Sequence, residues 1–202
     1  MSALLAITMG DACGIGPEII AKLCRERAAG ACVVLGDVAV MRRAAVATGG
    51  GLAVAVLEHA ADARAVPPRC IPVLPVPGVP ADLVGATLGA IDARAGAAAA
   101  RCIEHAVALV QAGEVAGIVT APIHKEALAA AGIGFPGHTE MLQALAARDG
   151  AVPPVRMMLA NDELRTVLVT IHLSLRRAID AIDTAAVLET IRIAHAAAAR
   201  WG

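Results

Sequence analysis

The sequence has 202 residues, with 17 Lys and Arg against 18 Asp and Glu, and its formal net charge is −1. Aromatic residues make up only 1%, which disfavours a nucleic-acid surface built on base stacking, and the near-zero charge gives no broad attraction to phosphate backbones. We therefore expect no nucleic-acid partner. No charge-free apolar run is long enough to span a membrane, and the five cysteines form no C-x-x-C pattern, so we expect no membrane association and a cytoplasmic protein with reduced thiols.

Strand-like and helix-like segments alternate along the chain, which predicts an α/β fold with a parallel sheet and crossover helices. Strands are predicted at 4–8, 31–35, 52–57, 117–120, 155–160 and 166–170, the last two as a hairpin around NDEL. Helices are predicted from Pro17, at 38–47 and 91–112, from Pro122, from Thr139 to about Gly150, and from a cap at Asp183 or Thr184. Prolines crowd residues 66–80, which predicts an edge strand or an extended connector and a passage between two lobes.

The stretch MGDACGIGPEII, from Met9 to Ile20, resembles a dinucleotide-binding fingerprint but lacks its third glycine, because Ile19 stands there. A strand–turn–helix junction whose glycines supply positive φ is therefore favoured over direct NAD binding. Asp11 follows the predicted strand, where it is either a functional group or a capping residue.

A second motif, TAPIHKEAL, lies at another predicted junction between a strand and a helix. Backbone N–H groups and Lys125 could bind an anion there. An equally good interpretation makes Thr120 a cap and leaves His124 and Lys125 on a solvated first turn.

Two further motifs each contain a histidine. In GHTE, His138 and Thr139 lie at the start of a predicted helix, a position that favours anions, although Thr139 could merely be the N-cap. The H-x-E pattern is not that of a zinc deaminase, because every cysteine precedes His138. In VTIHLSLR, His172 follows an apolar strand and needs a metal, a carboxylate or a carbonyl as its partner.

Taken together and in this order, ITMGDACGIGPEII, VTAPIHKEAL, GIGFPGHTE, MMLANDELR and VTIHLSLR closely resemble the 4-hydroxythreonine-4-phosphate dehydrogenase family. The resemblance implies a two-lobed α/β fold like that of isocitrate and isopropylmalate dehydrogenases, and a homodimer. It implies an oxidoreductase of pyridoxal phosphate (pyridoxine) biosynthesis that uses NAD and a divalent metal (Zn, Mg or Co). The implied reaction oxidises 4-phosphohydroxy-L-threonine and decarboxylates the product to 3-amino-2-oxopropyl phosphate.

The same resemblance assigns roles to three residues. His138 and Thr139 match the pair that contacts the small phosphorylated hydroxy-amino-acid substrate, and His172 matches the first of three metal-binding histidines. Lys125 matches a basic position without a firm role. The blocks that carry the other two histidines, N-P-H-A-G-E and H-D-Q-G, do not occur in this sequence.

Residues 1–202 are therefore expected to be a truncated, N-terminal portion of such an enzyme, inactive or nearly so alone. Two alternatives remain, a 4-phospho-D-threonate or erythronate dehydrogenase and a non-catalytic remnant.

Overall fold

The computed structural model describes residues 3–26, 31–147 and 150–201. The chain divides into two compact units, Met1–Leu145 and Ala146–Gly202. Within the described ranges, the first unit contains a five-stranded sheet and the second a two-stranded sheet.

The first unit is a parallel α/β layer structure, as the alternation of segments predicted. Its sheet has the order β3-β4-β2-β1-β5, with strands β1 (Leu5–Thr8), β2 (Cys32–Gly36), β3 (Ala53–Val56), β4 (Cys70–Pro75) and β5 (Gly117–Thr120). Its helices are α1 (Gly16–Glu26), α2 (Val38–Ala47), α3 (Ala93–Gln111), α4 (Lys125–Ala130) and α5 (His138–Leu145). Because every pairing in this sheet is parallel, the carboxyl ends of β1 and β5 lie side by side at one edge.

The core of the first unit lies around the central strands. All five residues of β2 are buried, as expected for a parallel strand that is covered on both faces. Helix α2 begins after Asp37, whose Oδ1 accepts a 2.8 Å hydrogen bond from the Val40 amide. Alanine and glycine make up more than half of the buried face of α3, so neighbouring segments can approach this helix closely.

The prediction of an edge strand or connector at 66–80 was wrong. Strand β4 lies inside the sheet, between β3 and β2, although it contains Pro72 and Pro75. Each proline removes only its own amide donor, and the carbonyl of Val73 still accepts a 2.8 Å bond from the Leu57 amide. Complete burial of Ile71 and Val73 offsets the missing donors. A passage between lobes at 66–80 stays a prediction.

The second unit contains the predicted hairpin. Strands β6 (Met158–Ala160) and β7 (Arg165–Val167) pair antiparallel, with Met158 opposite Val167. Asn161 shapes the turn, because its Oδ1 accepts hydrogen bonds from the amides of Glu163 (2.9 Å) and Leu164 (2.6 Å).

Two helices follow the hairpin, α6 (Leu175–Ala181) and α7 (Thr184–Trp201), and the first of these was not predicted. Asp183 rather than Thr184 caps α7, because its Oδ1 accepts a 2.7 Å bond from the Ala186 amide. Arg156 joins the segment before the hairpin to α7 through a 2.8 Å bond to the Thr190 hydroxyl. Among the described residues, no helix is long and apolar enough to cross a bilayer.

Candidate active site

The connections that follow β1 and β5 pack backbone against backbone at the carboxyl edge of the sheet. The Asp11 amide donates to the Pro122 carbonyl at 2.9 Å, and the Ala121 amide donates to the Thr8 carbonyl at 3.3 Å. Gly10 has φ +73°, and a Cβ built on it would lie inside 3.0 Å of the Pro122 oxygen. Only glycine fits between these two connections without displacing them.

The turn after Gly10 is closed by its own polar groups. Asp11 is only 7% exposed, and its Oδ1 accepts a 2.9 Å bond from the Cys13 amide. The Gly14 amide donates to the Asp11 carbonyl at 3.1 Å. The carboxylate of Asp11 therefore caps this turn, and two amides that could bind a pyrophosphate are already used.

Positive φ occurs at Gly10 but not at Gly14 or Gly16. The expectation that the glycines of this motif supply positive φ therefore holds only for the first of them. The strand–turn–helix junction that the incomplete fingerprint favoured is present, and whether this motif contacts NAD stays untested.

The second motif differs from its prediction. Helix α4 begins at Lys125 after His124 and not at Pro122, because the Pro122 carbonyl is bound by the Asp11 amide in the preceding connection. Thr120 ends β5 and caps no helix. Lys125 is exposed on the first turn, as expected from the interpretation that leaves it on a solvated helix start.

The side chain of Lys125 nevertheless runs beside the third motif. Its Cε lies 3.9 Å from the position of a Cβ built on Gly137, and Oε2 of Glu140 lies 3.5 Å from the same position. Lys125 thus brings a positive charge next to the helix start that carries His138 and Thr139.

His138 is the first residue of α5 and is half-buried. Burial lowers its pKa below the ordinary histidine value, and a hydrogen bond to the Ala121 carbonyl opposes that shift. Nε2 is buried and has no hydrogen-bond partner among the described residues. The lowered pKa favours the neutral imidazole, in which an unprotonated Nε2 would accept a hydrogen bond.

Met141 anchors the first turns of α5, because it is only 1% exposed and packs in a small apolar cluster with Leu128 and Ile103. Thr139 lies inside the first turn, after His138, so it is not the residue that precedes the helix. Its half-buried side chain neighbours His138 at the same helix end. His138 and Thr139, as a pair, stay predicted substrate contacts.

His172 belongs to the second unit, in the segment between β7 and α6. Its side chain is exposed and its φ is +57°, a left-handed conformation that is uncommon for residues other than glycine. Within residues 3–26, 31–147 and 150–201, no three His, Cys, Asp or Glu side chains are close enough to hold a metal ion. These residues therefore do not complete a metal centre, and the role of His172 stays a prediction.

Ala121 is the contributor to this site that the sequence did not single out. A backbone hydrogen bond with Ala121 raises the pKa of His138 against the effect of burial, yet an alanine side chain carries no chemical signal. The only available indication was its place directly after β5, at a strand end where functional groups of parallel sheets gather.

The chain was compared with known proteins. Residues 28–202 match the family described as pyridoxal phosphate biosynthetic protein PdxA. The chain is 46% identical to a 4-hydroxythreonine-4-phosphate dehydrogenase of Beijerinckia indica subsp. indica, covering 98% of the chain and 57% of that protein. It is 40% identical to a D-threonate 4-phosphate dehydrogenase of Pectobacterium atrosepticum, covering 100% of the chain and 61% of that protein.

A crystal structure of 4-hydroxythreonine-4-phosphate dehydrogenase from Klebsiella pneumoniae matches with a TM-score of 0.86 at 36% identity, covering 96% of this chain and 58% of that one. The chain thus spans less than two thirds of the length of these relatives. The match confirms a mixed α/β fold with a parallel sheet, whereas the comparison with isocitrate and isopropylmalate dehydrogenases stays a prediction. The family match covers most of the sequence, and the chain belongs to the pyridoxal phosphate biosynthetic protein PdxA family.

Proposed function

We propose that this chain is the N-terminal part of an NAD- and divalent-metal-dependent dehydrogenase in pyridoxal phosphate biosynthesis. The substrate is 4-phosphohydroxy-L-threonine, which is oxidised and decarboxylated to 3-amino-2-oxopropyl phosphate. The observation that carries the proposal is the 46% identity, over nearly the whole chain, to a protein named for this substrate. A homodimer, a cytoplasmic location and an isocitrate-dehydrogenase-like pair of lobes belong to the same proposal.

In this proposal, His138 binds the substrate as a neutral acceptor. A substrate hydroxyl would donate to Nε2 and give this buried atom the partner that it lacks. The Thr139 hydroxyl would bind the same molecule, and the charge of Lys125 would favour its anionic groups. In this proposal Nδ1 carries the proton on the side of the Ala121 backbone, and Nε2 is the acceptor that faces the substrate.

The oxidation itself removes the carbinol hydrogen as hydride and the hydroxyl proton to a base, and NAD supplies the hydride acceptor when it is bound. No three potential metal ligands cluster among the described residues, so no step is assigned to the metal here. His172 would contribute one metal ligand, with its partners outside the described residues.

A second candidate is a 4-phospho-D-threonate or erythronate dehydrogenase, and a specific observation favours the threonate form. Relatives named D-threonate 4-phosphate dehydrogenase, from Pectobacterium atrosepticum and Salmonella typhimurium, are 40% and 39% identical to this chain. The threonine and threonate substrates share a phosphate, one hydroxyl and a carboxylate, and they differ in carrying an amino or a hydroxyl group beside the carboxylate. Discrimination therefore depends on whatever group faces that position.

The test is an assay of the native-length protein with NAD, a divalent metal and each substrate in turn. Turnover of the threonine substrate supports the first proposal, turnover of threonate phosphate alone supports the second, and turnover of neither contradicts both. His138→Gln should lower kcat/KM by roughly 100-fold without loss of bound metal. His172→Gln should instead lose metal, and the exposed His195→Gln should change neither. Equal activity of the His138 variant and the wild type would remove His138 from the site.

The 202-residue chain assayed alone is expected to give little or no turnover, because it lacks a complete set of metal ligands among its described residues. Turnover comparable to that of the native-length protein would contradict this expectation. An intact mass near 20.3 kDa in the source organism would favour the non-catalytic remnant.

A further inference from the structure

We propose that Arg43 is a positioning residue for His138, acting through the turn 11–14 without touching the histidine. This inference rests on the proposed role of His138 as a substrate contact. Arg43 lies on α2, whereas His138 begins α5, and the connection between them runs through backbone groups at the carboxyl edge of the sheet.

The guanidinium of Arg43 binds backbone carbonyls from two different segments. Nη2 donates to the Ala12 carbonyl at 2.6 Å, inside the turn, and Nη1 donates to the Val84 carbonyl at 2.8 Å. A longer bond of 3.5 Å reaches the Ala86 carbonyl. The planar fork of arginine can hold two such segments at once, which the single ammonium of lysine cannot do with the same geometry.

The turn is joined to the 82–90 segment by a second link, because the Gly89 amide donates to the Cys13 carbonyl at 2.8 Å. Arg43 and Gly89 therefore fix one side of the turn. Burial and the charge of Asp11 raise the pKa of the Cys13 thiol, and the net shift is upward. The positive charge of Arg43 lowers the same pKa, which agrees with its position beside the turn.

The other side of the turn faces the connection that orients His138. The Asp11 amide donates to the Pro122 carbonyl, and the next residue, Ile123, packs in the apolar cluster of Met141 on α5. A backbone hydrogen bond with the adjacent Ala121 also acts on the pKa of His138. Gly10 leaves no free space in this contact, so a shift of the turn must be passed to residues 121 and 122. Loss of the Arg43 fork would release the turn and let the Ala121 carbonyl drift from the imidazole.

The kinetic test compares Arg43→Ala with Arg42→Ala in the native-length protein. Arg42 is the neighbouring arginine on α2 and is exposed, so its substitution controls for loss of charge. Arg43→Ala should raise KM about tenfold while kcat per folded molecule stays within about threefold, whereas Arg42→Ala should change neither. A purely structural role would lower the folded fraction and leave KM unchanged, and that result would overturn the proposal.

A spectroscopic test does not depend on activity. In protein labelled with nitrogen-15 histidine, His138→Gln identifies the His138 signals by their disappearance. The wild-type spectrum should show His138 as the single Nδ1–H tautomer. In Arg43→Ala, the nitrogen chemical shifts of His138 should move toward those of the tautomer mixture in free histidine. If no substrate is turned over, the proposed function fails while this spectrum still tests Arg43.

Arg43→Lys provides the test should the alanine variant not fold. It should retain one of the two short bonds, giving an intermediate KM and an intermediate tautomer mixture. Unchanged KM and an unchanged His138 spectrum in a folded Arg43 variant would overturn the proposal.

Discussion

The crossing of α3 and α4 at Gly96 allows a quantitative test of how the site is supported. A Cβ added to Gly96 would lie inside 3.0 Å of the Ala127 carbonyl oxygen and 2.8 Å from the Leu128 nitrogen. Both are backbone atoms of α4, so no side-chain rotation relieves the overlap. Gly96→Ala must therefore push the two helices apart.

The expected cost is the difference between two effects. Overpacking of a well-packed interior typically costs about 1–3 kcal/mol, and more where backbone must move. Alanine in place of glycine inside a helix stabilises the folded state by about 1 kcal/mol through its higher helix propensity. Because the overlap involves backbone, we expect the strain to prevail and the free energy of unfolding to fall by about 2 kcal/mol.

The measurement is urea unfolding followed by circular dichroism, with Gly85→Ala as the control. A Cβ added to Gly85 would meet no neighbouring atom within 4 Å, so alanine there should be neutral or slightly stabilising. Since Leu128 and Met141 share one apolar cluster, displacement of α4 should also disturb the start of α5 and His138. An unfolding midpoint for Gly96→Ala equal to that of the wild type would refute the reasoning.

Three further predictions concern pH, thiols and a helix cap. Burial lowers the pKa of His138, so its contribution to the free energy of unfolding should be complete above pH 6.5 and lost as the pH falls through the lower folded pKa. In urea unfolding at a series of pH values, the stability of His138→Gln should therefore fall less in acid than that of the wild type. Burial raises the pKa of Cys24 and Cys102 to about 12, which keeps both thiols protonated and unreactive. Iodoacetamide, followed by mass spectrometry, should therefore label the half-buried Cys70 first. Earlier labelling of Cys24 or Cys102 would contradict this prediction. Asp183→Ala should cost about 1 kcal/mol in thermal or urea unfolding, because the Ala186 amide loses its acceptor, and an unchanged midpoint would argue against the cap.

Local patterns in the sequence were enough to locate most elements of the first unit. Helix α2 spans the predicted 38–47 and β5 the predicted 117–120, because each is a short apolar segment bounded by turn residues. The interior place of β4 could not be read in this way. The prolines are a local property of this one strand, whereas its place in the sheet depends on partner strands far away in the sequence. Helix α6 was missed because its seven residues include none that is buried.

The candidate site shows the same division between local and distant information. The GHTE block is contiguous, so its two polar residues could be named from the sequence alone. The backbone group that acts on the pKa of His138 belongs to Ala121, and Arg43 donates to the Ala12 carbonyl from another helix. Neither contact leaves a recognisable pattern, because both use backbone oxygens that every residue possesses.

Histidines that bind metals commonly donate from their other ring nitrogen to a backbone carbonyl, and a backbone hydrogen bond with Ala121 also acts on the pKa of His138. Two observations favour a substrate role. Nε2 lies buried without a partner, and no three potential metal ligands cluster in the described parts of the chain. A metal would need further donors around Nε2, whereas a single substrate hydroxyl would satisfy this acceptor and offset the cost of its burial. We therefore expect His138 to bind a substrate alcohol rather than a metal, and this role stays a prediction.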